Sequence, residues 1–545
     1  MPTPASPRAV RAASPRGRWT VGAFFGLLVV LGAALHRDYG VGWDEQLDRL
    51  NGVINAKYVA LRLAPELARR QPTFAEIPSM SENQDTDHGV LFQLPLVVLE
   101  KVVGAEDSRE VYFLRHLVIW LTCVAGTYAL YRVAARYLGG WRWGLLVAAA
   151  LVLTPRLFAE SFYNYKDPVF LGFFTLGVGT LLRWRRQPTW RTAALHALAT
   201  GAAIDVRTMG VLLLGLTLGV ASLEAWFRPA LRRPLLQTLA LFFPLTAAVV
   251  VLAWPYLWEH PLDHFLEAFN SFRRYRADML TLYLGEEISI RALPWHYAPV
   301  WLVVTTPLPY LLLFGLGVGV VATQAIRRPW AWLATAVGRT DLLLLAWFFG
   351  PLLAVIVLHS VLYDGWRHLY FVYPALLLLA ARGLQAGWRA WRATARPGPR
   401  RLGYGVAGLL ALGVGHTLWR MAADHPYQNL YYSFLPGAAA GRLFERDYWG
   451  LSGREGLEWI LRHDTSARVP VATDPRTGLM LHNAQLLLSP ADRARLRLVP
   501  LAQARYFLTT YRWHPSPYPT TIGREVYCRR VDGILILSVL RRPGL

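Results

Sequence analysis

Cysteine is nearly absent from this chain: Cys123 lies in an apolar run, and Cys528 stands far from it in sequence. That spacing excludes a disulfide framework and a cysteine metal motif. Lysine is almost as scarce, with only Lys57, Lys101 and Lys166, so the formal net charge of +22 rests on arginine. Charged residues make up 17% of the chain, well below the roughly 25% usual for a soluble domain. No P-loop, hydrolase elbow or zinc-binding helix motif is present. There are no heptads or solenoid repeats, and the only biased tract is the basic N-terminus. The arginines fall in short clusters between apolar runs rather than in one stripe, which argues against a nucleic-acid partner.

What fills the chain is apolar. Hydrophobic residues reach 54%, with 22 Trp, 25 Tyr and 23 Phe. Several runs have the roughly 18–20 residues needed to cross a bilayer core. The reading is a polytopic α-helical membrane protein with eleven spans, at 19–36, 112–133, 143–160, 168–184, 191–206, 208–227, 235–257, 299–322, 341–360, 367–385 and 403–421. Arginine clusters around 132–142, 183–191, 228–233, 327–339 and 389–401 occupy alternate connections. With the basic segment 1–18 in the cytoplasm, the positive-inside rule places every cluster there. The transmembrane domain is then 19–422, with a long exterior loop at 37–111. The eleven spans put the tail, 423–545, outside the cytoplasm. A short apolar stretch at 88–100 is too short for a span and is expected in the interface.

The tail has soluble punctuation. A helix is expected at 453–462, with Leu457, Ile460 and Leu461 on one face, and strands at 468–474, 505–511 and 526–540. These make a small exterior α/β domain.

Ionisable residues recur at one set of helix ends. Asp44 and Glu45 follow the first span, and Arg115 and His116 open the second. Lys166 and Asp167 lie between the third and fourth, Asp205 and Arg207 between the fifth and sixth, and Asp364, Arg367 and His368 before the tenth. Each alone reads as a cap or a snorkelling side chain. Together on one face they predict a cavity holding carboxylates and cations. A carboxylate there deprotonates a hydroxyl or amine, and arginines hold a phosphate leaving group.

These residues resemble motifs of the GT-C glycosyltransferases, in the branch that holds the dolichyl-phosphate-mannose protein mannosyltransferases and the lipid A aminoarabinose transferases. Asp44-Glu45 resembles the acidic motif of the first exterior loop. The segment Asp87-His88-Gly89-Val90-Leu91 resembles a His-Pro-Pro-Leu motif without its prolines, and Lys166-Asp167-Pro168 resembles the second acidic motif. Tyr363 to His368, with Pro374 downstream, is similar to the Arg-Tyr/His…Pro pattern of a late helix. His425-Pro426-Tyr427-Gln428 and the stretch from Asp447 to Ser452 resemble the start of the exterior tail in bacterial relatives.

The resemblance implies transfer of a sugar, hexosyl or mannosyl in type, from a polyprenyl phosphate donor to a lipid, protein or polysaccharide acceptor, by direct displacement with inversion. By the same resemblance Asp44 is the base, Glu45 shapes the pocket and Asp167 orients a substrate. Lys166, Arg115, Arg207, Arg367, His368 and His88 are the phosphate and lipid partners. No cofactor is expected; the alternative of a divalent ion at Asp44/Glu45 and Asp87/His88 stays open. The expected location is a bacterial inner membrane. Two other readings compete: a lipid or solute transporter, which calls for inverted repeats and charges near the midplane, and a non-catalytic anchor for the tail.

Overall fold

The computed structural model describes residues 14–83, 85–86, 88–271, 279–394, 397–512 and 516–543. All eleven expected spans fall on helices, and the chain is an integral membrane protein. Among the described residues eight helices are long and apolar enough to cross a membrane, from Pro15–Leu35 to Arg400–Ala423. A ninth crossing is broken: Trp141–Val152 and Pro155–Tyr163 meet at 72°. Pro155 sits in the first turn of the second piece, and the residue before a proline is pushed out of the helical region, which fixes the break at Thr154. The helices Asp167–Trp184 and Trp190–Val206 are shorter and bring Asp167 and Arg207 to the same end of the bundle. The run expected at 299–322 is split by Pro307 into Tyr297–Thr305 and Leu308–Arg327.

The helices Ser108–Leu138 and Asp167–Trp184 are held in backbone contact. A Cβ on Gly126 would stand 2.6 Å from the Cα of Gly172, so only glycine permits that approach. This contact anchors the helix that begins at Asp167.

The loop 37–111 is mostly ordered into helices. Glu45–Leu63 is a 19-residue helix that hydropathy does not reveal. Its buried face is polar, with Glu45, Asp48, Asn51 and Asn55 inside, while Leu47 and Leu50 are exposed. The stretch expected at the interface is a helix at Gln93–Val102 whose Gln93 and Val97 pack against Gly52.

The tail holds a five-stranded mixed sheet. Its strands are β3 (Val469–Ala472), β4 (Leu496–Leu498), β5 (Tyr506–Thr509), β6 (Arg524–Val531) and β7 (Ile534–Arg541), in the order β4-β3-β5-β7-β6; β1 (Leu280–Tyr283) and β2 (Glu286–Ser289) form a separate hairpin. The segment read as one strand at 526–540 is the β6–β7 hairpin. Asp532 and Gly533 turn it with positive φ, the geometry that suits a right-handed twist. Helix Gly453–His463 lays Leu457, Ile460 and Leu461 on this sheet as expected. The sheet does not hang free, because one hydrophobic core runs from Leu28 and Trp120 through Trp449 to Leu537. Polar contacts add to it: Asn483 Nδ2 donates to the Gly42 carbonyl at 2.9 Å and Ser108 Oγ to the Leu486 carbonyl at 2.7 Å.

Candidate active site

The charged helix ends converge on one cavity of about 470 Å³. Its wall includes Asp44, Asp48, Asp85, His88, Lys166, Arg207, Arg367 and His368. Asp44 is the residue before the first turn of Glu45–Leu63, and its side chain makes no capping hydrogen bond to that helix. Arg367 Nη1 donates to Asp44 Oδ2 at 2.9 Å. The Asp44 side chain keeps 25% exposure, the most of the ion-paired carboxylates around Arg367, so a substrate can reach it. Burial alone would raise the Asp44 carboxyl; Arg367 and Lys166 outweigh burial and hold it below its ordinary value.

Asp167 stands behind the cavity wall and spaces the two arginines. Arg207 lies 2.5 Å from Asp167 Oδ1, and Arg367 3.5 Å from Asp167 Oδ2. Asn164 fixes the turn before it: its Nδ2 donates to Asp167 Oδ2 at 2.8 Å, while its Oδ1 accepts from the backbone N–H groups of Lys166 and Asp167. Asn164 is in turn held by Glu160, which also accepts from Tyr370 and Tyr448, both at 2.8 Å. A buried bidentate carboxylate between two guanidiniums keeps both aimed without leaving either charge unpaired.

Lys166 reaches the opposite wall, 2.7 Å from Asp48 and 3.6 Å from Asp85. Burial pushes Asp48 up to about 8 against the pull of Lys166, whereas Lys166 and His88 hold Asp85 below its ordinary value. Burial and the Lys166 charge lower His88, while Asp85 opposes them. The cation between these carboxylates is thus Lys166 itself. Among the described residues no three His, Cys, Asp or Glu side chains converge as metal ligands, and Asp87 lies outside the described residues.

The structure brings most of the residues singled out from the sequence to one place. Asp44, His88, Lys166, Arg207, Arg367 and His368 line the cavity, and Asp167 supports it. Glu45 and Arg115 are not brought to it. Glu45 is buried and turned away, accepting from Gly42 N–H at 2.6 Å and contacting His116 Nε2 at 3.1 Å. Arg115 is consumed by Glu100 and Gln93, with Arg49 as a second partner of Glu100 at 2.9 Å. Both charges are spent on locking the first loop to the second span.

The structure adds residues that the sequence reading passed over. Asp48 has a legible signal: positions 45, 48, 51 and 55 repeat at helical spacing with polar side chains. Arg512 has none. It comes from the end of β5, donates to Asp364 Oδ1 at 2.6 Å and to the Tyr448 carbonyl at 2.6 Å, and covers the Trp43 ring at 5.1 Å. Asp364 Oδ2 is 3.1 Å from Arg367. The tail therefore closes the chain of charges Arg512–Asp364–Arg367–Asp44.

A second, apolar cavity of about 250 Å³ adjoins the charged one. Met209, Val211, Leu212, Phe269, Pro351 and Leu358 are among its lining residues, and it shares Val361 and His368 with the charged cavity.

Residues 86–267, a third of the chain, match the family described as dolichyl-phosphate-mannose-protein mannosyltransferase. No curated protein matches this chain. Three solved structures are similar at low identity. ArnT from Cupriavidus metallidurans bound to undecaprenyl phosphate is 15% identical, with a TM-score of 0.47 over 96% of this chain and 98% of that one. The apo oligosaccharyltransferase from Archaeoglobus fulgidus is 11% identical at TM-score 0.47; 77% of this chain is covered but only 57% of that one. The mycobacterial arabinofuranosyltransferase AftD is 17% identical at 0.43, over 91% of this chain and 32% of that one. At TM-scores below 0.5 these likenesses carry no weight for function. The family match does bear on the site, because the matched segment holds His88, Lys166, Asp167 and Arg207.

Proposed function

We propose that this protein is a glycosyltransferase that moves a sugar from a polyprenyl phosphate donor to an acceptor hydroxyl or amine by direct displacement. The observation that carries the reading is the junction of the two cavities at Val361 and His368. One side is charged and suits a sugar phosphate; the other is apolar and suits a lipid tail. A donor with both parts fits across the junction, with its phosphate near Arg207, Arg367 and Lys166.

In this mechanism Asp44 takes the proton of the acceptor nucleophile as the nucleophile attacks the anomeric carbon. The carbon–oxygen bond to phosphate breaks as the new bond forms, and the configuration inverts. The bond's electron pair leaves with the phosphate, whose charge Arg207 and Arg367 stabilise. Asp44, kept ionised by Arg367, is ready to accept a proton at neutral pH. Asp167 orients the two arginines. His88 and His368 contact the donor, and Glu45 and Arg115 hold the loop that carries Asp44. The site faces the exterior of a bacterial inner membrane, a placement supported by the arginine clusters at the opposite helix ends.

The test is transfer of labelled sugar from several polyprenyl phosphate donors by the purified protein in proteoliposomes, with the anomeric configuration of the product read by NMR. Inverted product supports the mechanism. Retained configuration overturns direct displacement, and movement of lipid across the bilayer with no transfer supports the transporter reading instead.

A further inference from the structure

On the far side of the bundle from the charged cavity lies a second polar groove. It has a volume of about 440 Å³ and is lined by Arg132, Arg136, Arg183 and Arg186 over Val133, Gly179 and Leu182. The helix Asp167–Trp184 connects the two sites, with Asp167 at one end and Arg183 at the other, about 24 Å apart along its axis.

Three properties mark this groove as built for an anion. First, among the described residues no carboxylate lines it. The acidic groups nearby are already engaged: Glu224 by Arg185, Arg228 and Arg339, and Asp341 by Tyr137 and Arg382. The four arginines face one space, with Arg132 donating to the Tyr128 hydroxyl at 3.1 Å at its edge. Second, Arg132 and Arg136 sit at i,i+4 on one helix, a repelling spacing for like charges, and Arg183 and Arg186 add two more cations from the end of a neighbouring helix and the turn after it, an arrangement that stays unfavourable until a counter-charge arrives. Third, polarity is layered at two points: Val133 lies about one turn nearer the bilayer centre than Arg136, and Gly179 one turn nearer than Arg183, so an apolar floor sits beneath these two cations, with Arg132 beside Val133.

We infer that this groove binds the phosphate headgroup of an anionic phospholipid, with the acyl chains running along Val133 and Leu182. Basic pockets between membrane helices recognise such headgroups by the same chemistry. The layering selects a lipid over free phosphate, because a free ion gains nothing from the apolar floor. The site is separate from the proposed donor site and needs no transfer chemistry.

The experiment is native mass spectrometry of the full-length protein released from bilayers of equal parts phosphatidylglycerol and phosphatidylcholine. Wild type and the double variant Arg136→Gln/Arg183→Gln are compared, with Arg186→Gln as a second variant. These side chains are exposed or half-buried, and thermal unfolding in neutral detergent checks that each variant folds. Wild type is expected to retain phosphatidylglycerol selectively. The double variant should lose that retention by roughly thirtyfold on the strength of two surface arginine contacts, and Arg186→Gln by a smaller factor. Equal retention by all three proteins overturns the inference. So does protection of wild type by inorganic phosphate with no retained lipid, which would make the groove a site for a free anion.

Discussion

Arg512→Ala tests whether the tail belongs to the active site. The wild-type guanidinium neutralises Asp364 from a distance of 2.6 Å, with both side chains buried. Its loss leaves Asp364 facing Arg367 at 3.1 Å. Breaking a buried pair from one side costs about 3–5 kcal/mol. Burial already raises the Asp364 carboxyl, so part of that cost is avoided by protonation. What is not avoided pulls Arg367 toward Asp364 and away from Asp44. If about half of the low figure reaches the Arg367–Asp44 contact, kcat/KM falls roughly tenfold, and the full figure gives more than a hundredfold. The assay is a double-mutant cycle on transfer rate with Asp364→Asn. Asp364 has a φ of 56°, which asparagine also tolerates, so the second variant brings little backbone strain. The expected result is recovery: Arg512→Ala/Asp364→Asn transfers faster than Arg512→Ala alone, because the unpaired charge is gone. Wild-type activity in Arg512→Ala, or strictly additive losses, would refute the coupling.

Other predictions follow from the same geometry. Asp167→Ala strands Arg207, while Arg367 keeps Asp44 and Asp364, and should destabilise the protein by about 3–5 kcal/mol, read as a fall in Tm, while Asp167→Asn falls less. Glu45→Gln should lower Tm through loss of its pairing with His116 but change kcat/KM by no more than a few-fold, as Glu45 does not face the cavity. Asp48 has its folded value raised to about 8, so its contribution to stability is full below its ordinary value near 4 and is lost as pH rises through about 8. Asp48→Asn should therefore flatten the decline of Tm between pH 5 and 8; an unchanged slope would contradict this. Gly89→Ala places a Cβ 2.0 Å from Asp205 Oδ1 and 2.5 Å from its carbonyl oxygen. It should cost about 1–3 kcal/mol in urea unfolding, and the shift of the His88 loop should weaken donor binding.

How much of this was readable beforehand depends on the kind of residue. The spans announce themselves because bilayer-length apolar runs have few other uses, and Asp44, Lys166, Asp167 and Arg367 stand out because charge at a helix end is costly. The helix Glu45–Leu63 escaped because the usual logic is inverted there: its inner face is polar and its outer face carries Leu47 and Leu50. Arg115 misled for the opposite reason. A cation at a span end reads as a ligand, but its partner Glu100 is 15 residues away in sequence, and only the docking of Gln93–Val102 brings it near. Arg512 is 148 residues from Asp364, and a pairing across that distance depends on the sheet's seat on the bundle, which leaves no local signature.

The central claim is that Asp44 is the base. The most direct measurement is sugar transfer from a polyprenyl phosphate donor by wild type and by Asp44→Asn at matched expression and matched Tm. The account predicts that the variant still binds donor, because Arg207, Arg367 and Lys166 remain, and that its transfer rate falls by about 10²–10⁴-fold, the range of a lost general base. Transfer at the wild-type rate by Asp44→Asn would contradict it.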